Sequence, residues 1–340
     1  HQEEEAEEAR WRAHVAQYEV VRKVLTLDAF ARCWVQEFTL LGAVAAVLPA
    51  QKRPAFERLQ GAWMERRLGQ FEAALDAIAG QLARAACDRE IVDEAGLRAR
   101  LREVGSALGV GRADESSPLG HAMRALAERL DTDIRQTTDR LIAIHGLGGH
   151  AARNVLERLA ENYTVQRGLS EGKSALVGGV VTGALAGLKA DLASGGLTFG
   201  AGLLVGGLIG ALGGAGVARG YNFVRGAKTT SVQWGETVLG QLVAGALLRY
   251  LAVAHYGRGR GAWTERGYPD FWSEAVKQAI EARRDALSAL WARRTGECPS
   301  ETLAPAMRDL LTGASRDLLE QLYPGTFAGT ASAKVDADRN

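Results

Sequence analysis

GLSEGKSALVGG, residues 168–179, is the stretch on which the fold class turns. It nearly matches the nucleotide-gripping pattern G-x-x-x-x-G-K-[ST], which belongs to α/β domains. That loop has a fixed length for a physical reason. Its backbone N–H groups must wrap one phosphate and then launch a helix whose N-terminus faces the anion. Here only three residues separate Gly168 from Gly172, so the loop is one residue short, and Arg167 stands where the first glycine belongs. A phosphate loop also follows a buried apolar strand, whereas residues 161–166 read ENYTVQ, short and polar. The guanine-reading pattern N-K-x-D is absent, and the one D-x-x-G match, Asp93 to Gly96, lies upstream of the loop instead of downstream. The remaining reading is a helix start. Ser170 is an N-cap, Lys173 falls at the third helical position, and apolar residues follow.

Working outward, the fold class is all-α: a multi-helix chain around a central glycine-rich apolar helical hairpin. The 340 residues suffice for about two or three packed units. Acids and bases nearly cancel, 40 Asp+Glu against 41 Lys+Arg, so no net field steers the chain toward nucleic acid. Cys33, Cys87 and Cys298 are far apart and lack C-x-x-C spacing, which argues against a disulfide framework or a zinc site and suits a reducing cytosol. The N-terminal HQEEEAEEARWR is acidic and polar, unlike a signal peptide. It also lacks an initiator Met, and the expectation is that residue 1 is not the natural start.

Glycine usage divides the chain. Residues 1–165 read as a helical region. After Pro54, which suits a first helical turn, Phe56, Leu59, Trp63, Leu68, Phe71, Leu75, Ile78 and Leu82 recur at helical spacing. A second pattern runs from Pro118 through Met123, Leu126, Leu130, Ile134 and Leu141, with a loop by composition over residues 105–120. No convincing period-2 run is present. Residues 166–261 hold the glycine-rich hairpin and a Gly/Arg loop. Residues 262–326 are C-terminal helices, with Phe271, Val276, Ile280, Leu287 and Trp291 as one stripe and Leu310, Leu311, Leu318, Leu319 and Leu322 as another. Residues 327–340, FAGTASAKVDADRN, read as a disordered tail.

The middle carries the functional information. No charge occurs from Ala175 to Leu188; Lys189 and Asp191 interrupt, and then none occurs from Leu192 to Ala218. That second run has about 27 residues where a bilayer span needs about 20. Gly179, Gly183 and Gly187 are spaced by four, as are Gly202, Gly206, Gly210 and Gly214. Residues four apart share a helix face, so each segment presents a groove free of side chains. Each Gly lowers helix propensity by about 1 kcal/mol against Ala, and close backbone approach is the compensation. Arg219, Arg225 and Lys228, with Tyr221 and Phe223 between them, follow the run and mix positive charge with aromatics, as at a cytoplasmic membrane interface. Two readings stay open here: a re-entrant or conditionally inserted membrane hairpin, and a soluble hairpin buried by surrounding helices. Further on, LLRYLAVAHYGRGRGAW, residues 247–263, gathers Arg249, His255, Arg258 and Arg260. These side chains form an anion or headgroup site, or else cap helix carbonyls and pair with acids. His145 and His150 flank a glycine turn without a third ligand, which reads as a turn with surface histidines.

SEGKSALVGG, DLASGGLTFGAGLLVGGLIGALGGAGVARGYN and LLRYLAVAHYGRGRGAW together resemble an uncharacterised proteobacterial domain family that follows a Ras/Era-like G domain in one polypeptide. The resemblance runs from near Phe30 to about Trp291, with the glycine hairpin its most specific part. It implies a G domain of the same polypeptide as partner. GTP and Mg²⁺ would be bound only there; no cofactor and no metal is expected in these residues, and no nucleotide-binding position carries over. Three functions compete. The first is a membrane-associated output domain of a GTPase, cytoplasmic and peripheral to, or hairpin-inserted at, the inner membrane. The second is a soluble protein-interaction module. The third is a self-assembling or pore-forming helical protein. An independent enzyme is the weakest reading, because no His, Asp and Ser constellation suited to acid–base or nucleophilic work is visible.

Overall fold

The structure is a computed structural model and describes residues 2–25, 33–92, 118–147, 221–225, 230–255, 270–294 and 299–325. Among the described residues it holds eight α-helices and three short strands. In chain order these are α1 (Gln2–Val15), α2 (Trp34–Val47), α3 (Arg53–Cys87), β1 (Arg89–Val92), α4 (Pro118–Ile144), β2 (Tyr221–Arg225), β3 (Thr230–Trp234), α5 (Glu236–His255), α6 (Asp270–Glu281), α7 (Arg284–Ala292) and α8 (Ser300–Leu322). The protein is mostly all-α. It divides into two compact units.

The first unit takes in residues 1–71, 254–263 and 319–340. Its core starts at the N-terminus of α2, where Gln36 Oε1 accepts the Cys33 N–H at 3.0 Å and closes the first turn. That end carries Trp34, whose ring meets Phe38 edge-on at 5.4 Å and lies 5.6 Å from Phe71 of α3. Pro49 cannot continue a helix, and a 3₁₀ turn over Ala50–Lys52 makes the corner into α3. Arg53 Nε reaches back to the Leu48 carbonyl at 3.0 Å and fastens that corner. Pro54 sits in the first turn of α3, as its lack of an N–H requires.

The second unit takes in residues 72–253 and 264–318. Leu75, Ile78 and Leu82 of α3 are fully buried, and so are Leu126, Leu130, Ile134 and Leu141 of α4, as the 3.6-residue period of both segments predicts. The strands form an antiparallel sheet in the order β1-β3-β2, with Arg89 opposite Gln233 on one side and Tyr221 opposite Trp234 on the other. Helix α4 packs on β1 and β3. Val232 and Trp234 of β3 are fully buried.

Three expectations change. The small sheet is absent from the purely helical reading. Its strands have only four or five residues, and β3 buries Gln233 as well as Val232 and Trp234, so no apolar/polar alternation marks it. The run from Phe271 to Trp291 is two helices, broken at Arg283 (φ −118°). Its inward face in α6 is Trp272, Ala275, Val276 and Ala279, while Phe271 is exposed. One residue of phase separates the two stripes, and Ala counts little in a search for large apolar side chains. In α8 the inward face is Leu303, Met307, Leu311, Ala314 and Leu318, with Leu310 only half-buried.

Candidate functional site

In the second unit a polar cleft of about 650 Å³ opens where the end of α3, the middle of α4 and the start of α8 converge. Helical spacing builds its walls. Ala125, Glu128, Arg129, Thr132 and Asp133 lie three or four residues apart along one face of α4, and Arg84 and Cys87 lie three apart in the last turn of α3. Asp88 follows where α3 stops, and Ser300 opens α8.

Two charge pairs cross the cleft. Arg84 directs its Nε between both oxygens of Asp133, at 3.1 and 3.0 Å. Arg129 grips Asp88 through Nε at 3.1 and 3.0 Å and through Nη2 at 3.0 Å. The same Nη2 lies 2.9 Å from Glu90 Oε2, so one guanidinium joins the end of α3 to β1. Burial pushes the Asp88 carboxyl above its ordinary value, and the bonds from Arg129 pull it back only in part. The Arg129 guanidinium is raised, first by its hydrogen bond to Asp88. The two shifts point the same way for different reasons. Pairing favours the charged form of both groups, but desolvation outweighs it on the more enclosed carboxyl. Both arginines remain about half exposed. Among the described residues no group of three or more His, Cys, Asp or Glu is arranged to hold a metal ion. Two of the cleft's carboxylates, Asp88 and Asp133, face guanidinium groups.

A second polar cluster lies in the first unit. Glu37 of α2 is buried and accepts from Arg67 Nε at 2.9 Å and from Trp63 Nε1 at 2.8 Å. The Arg67 guanidinium lies 4.6 Å over the Trp63 ring and also donates to Gln70 at 2.8 Å. This cluster ties α2 to α3 and is enclosed by them.

The residues singled out in the sequence are placed differently. Arg249 of α5 is buried in the second unit, where Nη2 donates to Gln81 Oε1. His255 is buried in the first unit, sharing a 2.6 Å hydrogen bond with the Tyr323 hydroxyl, and the two rings stack at 5.6 Å. Each has an internal partner, so the structure does not bring these two together as a surface anion site. Arg225 lies in β2, paired with Thr230, and the Tyr221–Arg225 flank is a strand. Arg219, Lys228, Arg258 and Arg260 lie outside the described residues, as do Gly179, Gly183, Gly187, Gly202, Gly206, Gly210 and Gly214. His145 Nδ1 lies 2.9 Å from the Leu141 carbonyl, and its ring meets Tyr250 edge-on; His150 is outside the described residues. One described helix, over residues 238–255 of α5, is long and apolar enough to cross a bilayer, and most of it is buried inside the protein. The Asp88–Arg129 pair has no signal in the sequence, because 41 positions separate its members.

Residues 12–322 match the sequence profile of a family described as a domain of unknown function, DUF3482. No curated protein and no solved structure matches the chain.

Proposed function

The chain belongs to the DUF3482 family, and from that premise we propose that it is a helical, non-catalytic output domain of a bacterial GTPase, working at the cytoplasmic face of the inner membrane. Nucleotide and Mg²⁺ would be held by a G domain in the same polypeptide. Its switching would be converted by these helices into exposure of the glycine hairpin. The observation that carries the reading is the charge-free, glycine-spaced run from Leu192 to Ala218. Support comes from where that run is tethered. It lies in the chain between α4 and β2, and both belong to the same unit, one packing on the sheet and the other forming its edge.

One observation favours a second reading, the soluble interaction module. The apolar segment 238–255 of α5 is also long enough to span a bilayer, yet it is an internal helix. The glycine run would then be another core element. Flotation with phosphatidylglycerol-containing vesicles decides between them. Under the membrane reading high salt reduces initial capture, while protein already inserted stays bound, because charge attraction is screened and apolar insertion is not. Charge reversal at Arg219 and Arg225 removes only the salt-sensitive part. Protein that stays at the bottom of the gradient at low salt, with and without the G domain and nucleotide, makes the soluble reading correct. Concentration-dependent growth in size without lipid would favour self-assembly.

A further inference from the structure

Eight large apolar side chains are exposed among the described residues, and four of them, Trp11, Tyr18, Val20 and Val21, fall within residues 11–21. Trp11 is 59% exposed, Tyr18 50% and Val20 83%. They are ordered in space. Trp11 meets His14 edge-on at 6.2 Å, and His14 meets Tyr18 edge-on at 6.0 Å, so three rings run along one side of α1 and past its end. Two turns hold the continuation. The Tyr18 N–H donates to the Val15 carbonyl at 3.1 Å, and the Val21 N–H donates to the Tyr18 carbonyl at 2.9 Å. Contiguous exposed apolar surface of this kind marks a contact with another body.

The charges around the patch identify that body. Arg10 precedes it, Arg12 lies within it, Arg22 and Lys23 follow it, and Glu19 is the one acid between residues 9 and 25. Arg10, Arg22 and Lys23 are exposed and make no hydrogen bond or ion pair among the described residues. The five glutamates upstream, Glu3 to Glu8, oppose an anionic surface. Glu8 is neutralised by Arg12. The remaining four lie on the order of 15 Å or more from Tyr18 along the chain axis, about two Debye lengths at physiological salt, while Glu7 is about 6 Å from Trp11, so the anionic attraction is centred on Arg22 and Lys23. Trp and Tyr beside Arg and Lys are the side chains that settle at a lipid–water interface, where an amphipathic ring sits among headgroups and a cation meets phosphate.

We propose that residues 10–23 are an interfacial contact. It seats Trp11, Tyr18 and Val20 among the headgroups of an anionic bilayer, with Arg22 and Lys23 against lipid phosphate. The proposal rests on the membrane reading of the protein but not on the glycine hairpin.

The test uses the full chain, with vesicles of phosphatidylcholine alone or mixed with phosphatidylglycerol. Trp11→Ala with Tyr18→Ala, and separately Arg22→Glu with Lys23→Glu, should each lower capture by the mixed vesicles at low salt by about tenfold, the order expected for losing one or two interfacial contacts. Unchanged thermal melts would show that the exposed segment was altered without damage to the fold. Brominated lipid should quench the fluorescence of the parent more than that of Trp11→Phe. Equal quenching, together with unchanged flotation of both double variants, overturns the proposal and leaves the hairpin as the membrane contact. Leu204→Glu with Ile209→Glu places charge in the hairpin instead. If that variant floats like the parent while Trp11→Ala with Tyr18→Ala does not, the hairpin reading fails and the interfacial contact stands. Failure of the parent to float on either vesicle overturns both.

Discussion

Asp88 sits where burial and ion pairing act on one carboxyl in opposite directions. Its carboxyl is raised above the ordinary value, chiefly by burial. A group raised on folding contributes stability that is fully present below its unfolded value, about 3.9, and is lost as pH rises through the higher folded value. Urea unfolding of the parent and of Asp88→Asn between pH 4 and pH 7 reads this directly. The stability of the parent relative to the variant should fall as pH rises. A relative stability that climbs with pH would mean that pairing with Arg129 outweighs burial. Glu37 shows the opposite balance of risks. It is buried and takes bonds from both Arg67 and Trp63. Glu37→Ala would strand a guanidinium that is itself largely buried, and should cost about 3–5 kcal/mol in chemical denaturation. Replacing Glu37 and Arg67 together by apolar residues of similar size should recover much of that loss, since the penalty comes from the orphaned charge.

At the scale of elements, α3 has two halves with different environments. Over 35 residues its apolar period is regular, yet Leu59 is 56% exposed while Leu82 is fully buried. Leu82→Ala removes packed methyl groups and leaves a cavity, at a cost of about 2–5 kcal/mol. Leu59→Ala should change stability by only about 0.5 kcal/mol. Comparable losses at the two sites would show that residue 59 is covered in solution. The sheet is an element of the same kind of consequence. It holds β1 next to β3, and the position of Glu90 within bonding distance of Arg129 follows from that pairing. Strands of four or five residues owe their stability to the helix packed on them more than to their own propensity.

At the scale of the whole molecule, the chain should neither bind nor hydrolyse GTP. The loop at Gly168 is one residue short and the guanine-reading motif is absent. Calorimetric titration with GTP and Mg²⁺ should show no heat of binding. Tight binding that is lost on Lys173→Ala would place a nucleotide site in these residues after all.

The helices, most of their inward faces and the position of Pro54 in a first turn were legible in the order of the residues, because a helix is closed by bonds between neighbours in the chain and its buried stripe repeats every 3.6 residues. The sheet, the cleft and the inward turn of Arg249 and His255 were not. Each depends on partners far apart in sequence: Arg89 with Gln233, Asp88 with Arg129, Gln81 with Arg249, His255 with Tyr323. An arginine on an apolar helix has the same local pattern whether it faces lipid phosphate or a buried glutamine. Only the packing of one helix against another decides whether its charge meets solvent or an internal acceptor, because desolvation and hydrogen bonding are set by what surrounds the side chain in space.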